Sequence, residues 1–243
     1  MSMFRTAAAA ALVLGMALPV ARPAGAQGIP KVQTPEEVGF LSTRLKNLSD
    51  RINEGVKNNE LPGAVVLIVR NGKIVMFDSF GFRDKDAKVA MTNDTIFRIA
   101  SMTKPIVTVA AMILMEEGRI TLADPAARYI PAFAQTKVAV PTKKDDGTVE
   151  IALEPQARPM TVQDLMRHTS GLTYGALGAN PVKQSYLDMK VNDRGQTNAE
   201  MADKLARLAL LYQPGTTWEY SMSTDVLGRV VEVASGMPLD KFI

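Results

Sequence analysis

The chain has 243 residues, 47% of them hydrophobic and 22% charged, proportions typical of a globular protein with one large or two small domains. Its 28 basic and 25 acidic residues leave a formal net charge of +3 with no basic run, which argues against nucleic acid as a partner. With no cysteine and a single histidine, neither disulfides nor a zinc or iron site is expected, and we predict no metal or other cofactor.

The first 26 residues have the features of a secretory signal peptide. Arg5 gives a basic start, residues 6–20 form an apolar stretch rich in Ala and Leu, and an A-x-A cleavage site ends at Ala26. The apolar stretch is shorter than the ~18 residues of a spanning helix and is interrupted by a glycine and a proline, which disfavours stable membrane insertion. We therefore expect cleavage after Ala26 and export to the periplasm or the medium.

Residues 27–96 predict a helix followed by a β-hairpin. Ser42 can cap a helix whose apolar residues lie on one face. Two β-rich runs, residues 64–70 and 73–80, are joined by Asn71-Gly72, a strong hairpin signal because both turn residues tolerate positive φ. Five successive apolar positions, residues 65–69, predict a strand that is covered on both faces within a larger sheet. The apolar residues of the helix are Leu45, Leu48, Ile52 and Val56.

The stretch FRIASMTKPIVTVAAMILMEEG, residues 97–118, carries the main chemical signal. Apolar residues at helical spacing predict a buried helix that ends at Gly118, and Pro105 keeps its start within about one turn. Ser101 and Lys104 then share one face of the helix N-terminus. The predicted buried face consists of Ile106, Val109, Ala110, Ile113 and Leu114.

A serine and a lysine in this arrangement can perform nucleophilic catalysis. The Ser101 hydroxyl becomes a nucleophile when a base takes its proton, and a desolvated Lys104 can lose its charge near neutral pH and act as that base. The N-terminus of a helix also stabilises an oxyanion. The alternative is an N-cap serine followed by a solvated lysine, because S-x-x-K alone is a weak signal. The apolar residues on both sides favour the catalytic interpretation.

Downstream of Gly118 the sequence predicts short helices and loops. Residues 137–140 and 148–153 alternate around KKDDG and predict a small exposed hairpin. Thr161 and Asp164 form a capping box that opens the short helix VQDLMRH. Two further amphipathic helices are predicted over residues 199–211 and 224–234.

The C-terminal end of the sequence has the features of a truncated chain. Pro238 can begin a helix, but the chain stops five residues later on the apolar Phe242 and Ile243. No strand with buried character is predicted after residue 81, although a lone hairpin is marginal in water. We therefore expect the sequence to be the N-terminal part of a longer protein.

Four segments form a joint pattern: FRIASMTK (97–104), MTVQDLMRHTSGL (160–172), PGTTWEYS (214–221) and STDVLGRVVEVASG (223–236). Together they resemble the serine β-lactamase and penicillin-recognising family, in particular its class C β-lactamase and esterase branch. The resemblance implies one β-lactamase/transpeptidase-like domain over residues 27–243, incomplete at its C-terminus. Its fold would be mixed α/β: an antiparallel sheet, begun by the hairpin within residues 27–96, is flanked by helices, and residues 97–243 form a helical part with the reactive groups.

The resemblance also implies roles for individual residues. In this family the serine of S-x-x-K is acylated, its lysine assists proton transfer, and a tyrosine beside the lysine acts as general base, which here are Ser101, Lys104 and Tyr220. Ser221 and Trp218 are expected to contact substrate; the alternative for Tyr220 is a buried tyrosine packed against Trp218. The family's K-T-G or H-x-G element is absent from the sequence. Without its oxyanion donor we expect the chain alone to be nearly inactive.

The residue at position 222 bears on the substrate. Met222 stands where class C β-lactamases carry an asparagine that helps to bind the β-lactam amide, and Tyr220-Ser221-Met222 is similar to the family's esterases. We therefore expect an exported serine hydrolase that acts through an acyl-enzyme on small esters or amides, first of all a carboxylesterase. The alternatives are a β-lactamase or D-amino-acid peptidase with the same residues, and a non-catalytic module that binds penicillin or cell-wall peptides.

His168, the only histidine, permits a different interpretation. It could pair with Ser170, but no G-x-S-x-G elbow accompanies it, which argues against an α/β-hydrolase triad. The resemblance implies a structural role for the HTSGL segment and for His168. For Tyr174 and Trp218 the sequence leaves open whether they line the active-site cleft or belong to the core.

Overall fold

The computed structural model describes residues 28–146, 149–176, 178 and 180–243. The predicted signal peptide, residues 1–26, lies outside the described residues. The chain divides into two compact units, the first ending at Phe97 and the second spanning Arg98–Ile243. Across the described ranges, none of the helices has the length and apolar character that crossing a membrane requires.

The first unit contains a helix and a three-stranded antiparallel sheet. Its helix is α1 (Ser42–Lys57), preceded by a 3-10 turn (Pro35–Val38), and its strands are β1 (Gly63–Arg70), β2 (Lys73–Asp84) and β3 (Val89–Ala90), in the order β1-β2-β3. The predicted hairpin is confirmed. Arg70 pairs with Lys73 across Asn71 and Gly72, whose φ values are 52° and 70°.

Two details of the first unit differ from the prediction. Within the described residues β1 lies at the edge of its sheet and leaves Leu67 and Val69 exposed, so it is not covered on both faces. An apolar run identifies a strand, but its coverage depends on other elements. The cap of α1 lies one residue earlier than predicted: Leu41 is the N-cap, and Ser42 donates its N–H and its hydroxyl to the Glu36 carboxylate.

The second unit is mainly helical and holds the larger hydrophobic core. Its helices are α2 (Thr103–Glu116), α3 (Val162–Met166), α4 (Pro181–Asp188), α5 (Asn198–Ala206), α6 (Ser223–Ser235) and α7 (Leu239–Phe242), with 3-10 turns at Ala100–Met102, Ala126–Arg128 and Pro131–Gln135. Helix α2 packs against α6. The helix predicted over 224–234 is confirmed as α6, and Gly236 ends it with a φ of 75°.

The buried face of α2 matches the predicted one only in part: Ala110 and Leu114 are buried as predicted. Ile106, Val109 and Ile113 are 40%, 58% and 43% exposed. Val107 and Ala111 complete the buried face, which is therefore centred about one residue further along the helix than predicted. Because α2 is apolar on both sides, spacing alone could not decide which side faces the core. The buried residues are Val107, Ala110, Ala111 and Leu114.

A second antiparallel sheet consists of β4 (Val138–Lys143) and β5 (Val149–Glu154). The predicted hairpin is confirmed, although Thr148 lies outside the described residues. Its base is not exposed, since Val138 and Ala139 are buried and Val138 forms a parallel bridge with Leu210. Leu210 donates its N–H to the Lys137 carbonyl and accepts from the Ala139 N–H, at 2.8 and 2.9 Å. This pairing explains why the helix predicted over 199–211 ends at Ala206: tertiary hydrogen bonds outweigh helical periodicity.

The predicted capping box of α3 is confirmed and forms part of a larger network. The Asp164 carboxylate, with its side chain 1% exposed, accepts hydrogen bonds from Thr161 N–H at 3.0 Å and from Thr169 Oγ1 at 2.8 Å. Arg158 forms a two-point ion pair with it, at 2.6 and 2.9 Å. Burial alone would raise the pKa of Asp164, but these bonds lower it to about 2. Asp164 therefore anchors the HTSGL segment to α3.

Candidate active site

Ser101 lies in the 3-10 turn Ala100–Met102, which continues directly into α2. The preceding residue, Ala100, has a φ of 46°, a left-handed conformation that costs a non-glycine residue about 1–3 kcal/mol. Such strain is typical of functional sites, where the surrounding structure maintains it. Ser101 is exposed and belongs to the first turn of the helical segment, where backbone N–H groups lack intrahelical acceptors.

The three side chains predicted to act in catalysis come together in the second unit. Lys104 Nζ donates a hydrogen bond to Ser101 Oγ at 3.3 Å. The Tyr220 hydroxyl donates to the same oxygen at 2.6 Å, across 119 residues of sequence. Ser101 Oγ is therefore within reach of both an amine and a phenol, the geometry that activation of a serine requires.

Lys104 is held in its charged form. Burial lowers its pKa, but hydrogen bonding to the Tyr220 and Tyr174 hydroxyls and the charge of Asp225 outweigh burial, so that its pKa is raised. This differs from the expectation that Lys104 itself is the neutral base. The reason is that its neighbours are hydroxyls and a carboxylate, which favour an ammonium group, rather than other cations.

The two tyrosines beside Lys104 differ in acidity. Hydrogen bonds with Ser101 and Lys104 lower the pKa of Tyr220. Burial and the charge of Asp225 raise the pKa of Tyr174 to about 12, and the Tyr174 hydroxyl donates to Asp225 Oδ2 at 3.3 Å. Lys104 Nζ lies 4.9 Å from the Tyr220 ring centroid and 5.8 Å from that of Tyr174. Of this pair, Tyr220 is the phenol suited to lose its proton.

Aromatic rings surround Tyr220. The Trp218 ring lies 6.4 Å from it at an interplanar angle of 27°, and the His168 ring lies 4.9 Å from it. Trp218 is 64% exposed, so it presents an aromatic face to solvent beside the site. Its position is compatible with the predicted contact with substrate, and its assignment to the core is excluded. Tyr174 also lies against Tyr220, at 5.5 Å between ring centroids.

Ser221, which is predicted to contact substrate, lies in the interior of the second unit. It is completely buried, and its hydroxyl pairs with His168 Nδ1 at 3.3 Å and with Ser223 Oγ at 2.7 Å. The Ser221 hydroxyl is therefore engaged within the protein, and its contact with substrate stays a prediction. Ser170 pairs with Ser223, also at 2.7 Å. The histidine thus pairs with Ser221 and not with Ser170.

Sequence reasoning missed two acidic residues next to the site. Asp225 on α6 accepts from Tyr174, and Glu219 accepts from Thr173 Oγ1 at 2.8 Å and forms an ion pair with Lys183 at 2.9 Å. Their position in the quoted segments WEYS and STDVLG, close to Tyr220, is the signal that could have drawn attention to them. They do not form a metal site: among the described residues no three His, Cys, Asp or Glu side chains are grouped so that they could hold an ion.

Known proteins are similar to this chain in both sequence and fold. Residues 48–243 match the family described as Beta-lactamase. The chain is 39% identical over 184 residues to Protein Rv1367c of Mycobacterium tuberculosis, covering 75% of this chain and 44% of that protein. It is 36% identical over 208 residues to Esterase EstB of Burkholderia gladioli, covering 84% and 48%. The solved structure of "EstCE1, a hydrolase with promiscuous acyltransferase activity" has a TM-score of 0.68 at 29% identity, covering 82% and 49%.

The chain thus spans less than half the length of these curated relatives. The predicted mixed α/β fold, with antiparallel sheets and helices of the β-lactamase/transpeptidase type, is confirmed. Because the family match extends over most of the sequence, the chain belongs to the Beta-lactamase family.

Proposed function

We propose that the protein is a serine hydrolase that cleaves small esters through an acyl-enzyme on Ser101. The observation that carries this proposal is the convergence of Lys104 and Tyr220 on Ser101 Oγ, at 3.3 and 2.6 Å. The identity with Esterase EstB favours esters over amides as the substrate class. The family membership supports a hydrolase in general.

The chemistry follows from the charge states. The Tyr220 phenolate, stabilised by the Lys104 ammonium, takes the proton of Ser101 while Oγ attacks the ester carbonyl carbon. The oxyanion that forms faces the start of α2, where the Ser101 N–H and the helix dipole can stabilise it. Tyr220 then returns the proton to the leaving alcohol. Water, deprotonated by Tyr220, attacks the acyl-enzyme and releases the acid, which restores Ser101.

A β-lactamase or D-amino-acid peptidase with the same three residues is the alternative hydrolase. Met222 argues against it, because its side chain is 3% exposed and provides no amide for a β-lactam. A non-catalytic module that binds penicillin or cell-wall peptides is the alternative outside the enzymes. We also propose export to the periplasm or the medium, on the strength of residues 1–26.

Turnover of p-nitrophenyl butyrate and of nitrocefin by the purified full-length protein tests the assignment. We expect kcat/KM for the ester to exceed that for nitrocefin. Ser101→Ala should abolish turnover of the ester, and Lys104→Ala and Tyr220→Phe should each lower kcat by about 10²- to 10⁴-fold. Ser42→Ala, in the first unit, is the matched control and should leave the rate unchanged.

The same assay separates the alternatives. Preferential turnover of nitrocefin would favour a β-lactamase. Labelling of Ser101 by a fluorescent penicillin without turnover of any substrate would favour the binding module. Full ester turnover by Ser101→Ala would contradict the proposed nucleophile.

A further inference from the structure

We infer that His168 is a positioning residue for the general base: its Nδ1 atom accepts a hydrogen bond from the Ser221 backbone N–H and so fixes the neighbouring Tyr220. The inference rests on the proposed function, in which Tyr220 takes the proton of Ser101. It gives the only histidine of the sequence a role in the orientation of that base.

The contact is made at the residue next to the base. The Ser221 N–H donates to His168 Nδ1 at 3.3 Å, and the Ser221 hydroxyl lies at the same distance from that nitrogen. The imidazole ring lies 4.9 Å from the Tyr220 ring, tilted by 44°. His168 therefore holds the backbone on one side of Tyr220 and contacts its ring. A backbone N–H can only donate, so Nδ1 has to be the unprotonated nitrogen, with the ring proton on Nε2.

The backbone of His168 holds the same loop. Its carbonyl accepts from the Glu219 N–H at 3.0 Å, and the carbonyl of Thr169 accepts from the Gly215 N–H at 2.7 Å. His168 has a φ of 59°, in the left-handed region that is unfavourable for a residue with a side chain. In this conformation both the carbonyl and the ring of one residue contact the Tyr220 loop, which accounts for the strained backbone at this position.

A buried row of hydroxyls is compatible with Nδ1 as an acceptor. The Leu172 N–H donates to Ser170 Oγ at 3.2 Å, so the Ser170 hydroxyl is free to donate onward. The row continues through Ser223 to Ser221, with 2.7 Å between successive oxygens, and all three serines are completely buried. If each hydroxyl donates to the next, the last donates to the lone pair of His168 Nδ1. The row is satisfied when this nitrogen carries no proton.

The electrostatic environment keeps the imidazole neutral. Burial lowers the pKa of His168, and the positive charge of Lys104 lowers it further. The titratable groups around it are Lys104 at the start of α2, Tyr220 on the facing loop, and Glu219, whose carboxylate is engaged by Thr173 and Lys183. Protonation at acidic pH would turn Nδ1 from an acceptor into a donor, so the Ser221 N–H would lose its acceptor and the loop would be released.

Substitutions that keep or remove the acceptor test the inference. In His168→Asn the amide oxygen can occupy the place of Nδ1, whereas in His168→Gln it extends toward the place of Nε2. We expect His168→Asn to keep kcat within about 3-fold of the wild type. His168→Gln and His168→Ala should lose about 10- to 100-fold in kcat on p-nitrophenyl butyrate with little change in KM, because the base is misplaced while the binding surface remains. Equal rates for the Asn and Gln variants would overturn the inference.

The pH dependence gives a readout that a merely structural role would not produce. Below the pKa of Tyr220, log(kcat/KM) should fall with a slope of one as the phenolate is lost. Below the lowered pKa of His168 the wild-type slope should increase to two, and in His168→Asn it should remain one. A wild-type slope of one throughout, in a protein that stays folded, would contradict the inference.

Nuclear magnetic resonance can determine the tautomer and the pKa of His168 without an activity assay. Since the sequence has one histidine, ¹⁵N labelling of histidine gives a single imidazole to follow. We expect the Nε2–H tautomer at neutral pH and a pKa below 6.5. An Nδ1–H tautomer or a pKa above 6.5 would overturn the inference even if the variants unfold. This result is independent of Ser101→Ala, so failure of the proposed function and failure of this inference are distinguishable.

Discussion

Lys104 is bordered by two phenols, and the difference between them decides which one can act as a base. Tyr174 donates to a carboxylate and has a pKa of about 12, while Tyr220 contacts a hydroxyl and an ammonium and has a lowered pKa. Helical spacing was sufficient to place Ser101 beside Lys104. It could not predict that Tyr220 contacts Ser101, because these two residues are 119 positions apart in the sequence. That prediction depended on the family resemblance.

The pH profile of ester hydrolysis should report this difference. Because the pKa of Tyr220 is lowered from 10 and that of Lys104 is raised from 10.5, the phenolate and the ammonium coexist between the two values. We expect kcat/KM to rise with pH through the Tyr220 pKa and to fall only above the pKa of Lys104. Replacement of Tyr220 by 3-fluorotyrosine, a more acidic phenol, should shift the rising limb to lower pH. The same replacement at the exposed Tyr212 is the control, and an equal shift in both would contradict the assignment.

The residue-scale details that the sequence did not predict share one cause. The pKa of Lys104 is raised chiefly by Tyr220 and further by Tyr174 and Asp225, and the Ser221 hydroxyl pairs with His168, 53 residues away. None of these neighbours is visible in the local sequence around the residue that it contacts. Residue type and spacing therefore predicted which side chains lie together, but not the protonation that their surroundings impose.

At the scale of helices and strands, the Asn-Gly turn and the capping box were more reliable than the single-residue cap at Ser42 and than apolar periodicity. The Asn71-Gly72 hairpin and the Thr161 capping box have the predicted form, since each is determined by a few adjacent residues. The predicted buried side of α2 was correct only in part and the predicted end of α5 was wrong, since both depend on distant partners. For α5 that partner is β4, which pairs with Leu210.

Two capping boxes of the same kind provide a matched test of burial. Asp164 in α3 is buried and also binds Arg158 and Thr169, whereas Glu200 in α5 is exposed. Asp164→Asn should lower the free energy of unfolding at pH 7 by about 2–4 kcal/mol, because it removes the charge of a buried carboxylate that is paired with Arg158. Glu200→Gln should have a much smaller effect. Urea unfolding followed by circular dichroism measures both, and equal losses would contradict the argument.

Acidic pH should remove the stabilisation that the Asp164 carboxylate provides. Its pKa is about 2 in the folded protein and near 3.9 in an unfolded chain, so the folded state binds fewer protons between these values. The resulting stabilisation, on the order of 2 kcal/mol, is complete above about pH 4 and is lost as the pH falls through 2. The stability difference between the wild type and Asp164→Asn should therefore shrink between pH 5 and pH 2.

At the scale of the whole molecule, the fold class and the family were predicted because four segments occur together in the right order. No single one of them would have been sufficient, since S-x-x-K alone is common. The two compact units divide after Phe97, one residue beyond the boundary at residue 96 that the resemblance implied. The absence of cysteine means that folding outside the cytoplasm would not depend on disulfide formation.

Export is the prediction that belongs to this scale. Expression of the 243-residue chain in a bacterial host should give a mature protein in the periplasm or the medium whose first residue is Gln27. N-terminal sequencing and intact mass measure this. Ala26→Arg should block processing, because the cleavage site requires a small residue. An unprocessed wild-type protein in the cytoplasm would contradict export.

The burial of Met222 limits how this protein could evolve. Its side chain belongs to the hydrophobic core beneath the N-terminus of α6. A lineage under antibiotic selection that acquired asparagine here would remove a thioether from tightly packed surroundings and enclose an amide, at a cost of about 1–3 kcal/mol for an unpaired amide alone. Resistance by this route would require earlier mutations that open a polar space around position 222, so ancestral repacking, rather than a lone substitution, would have to come first.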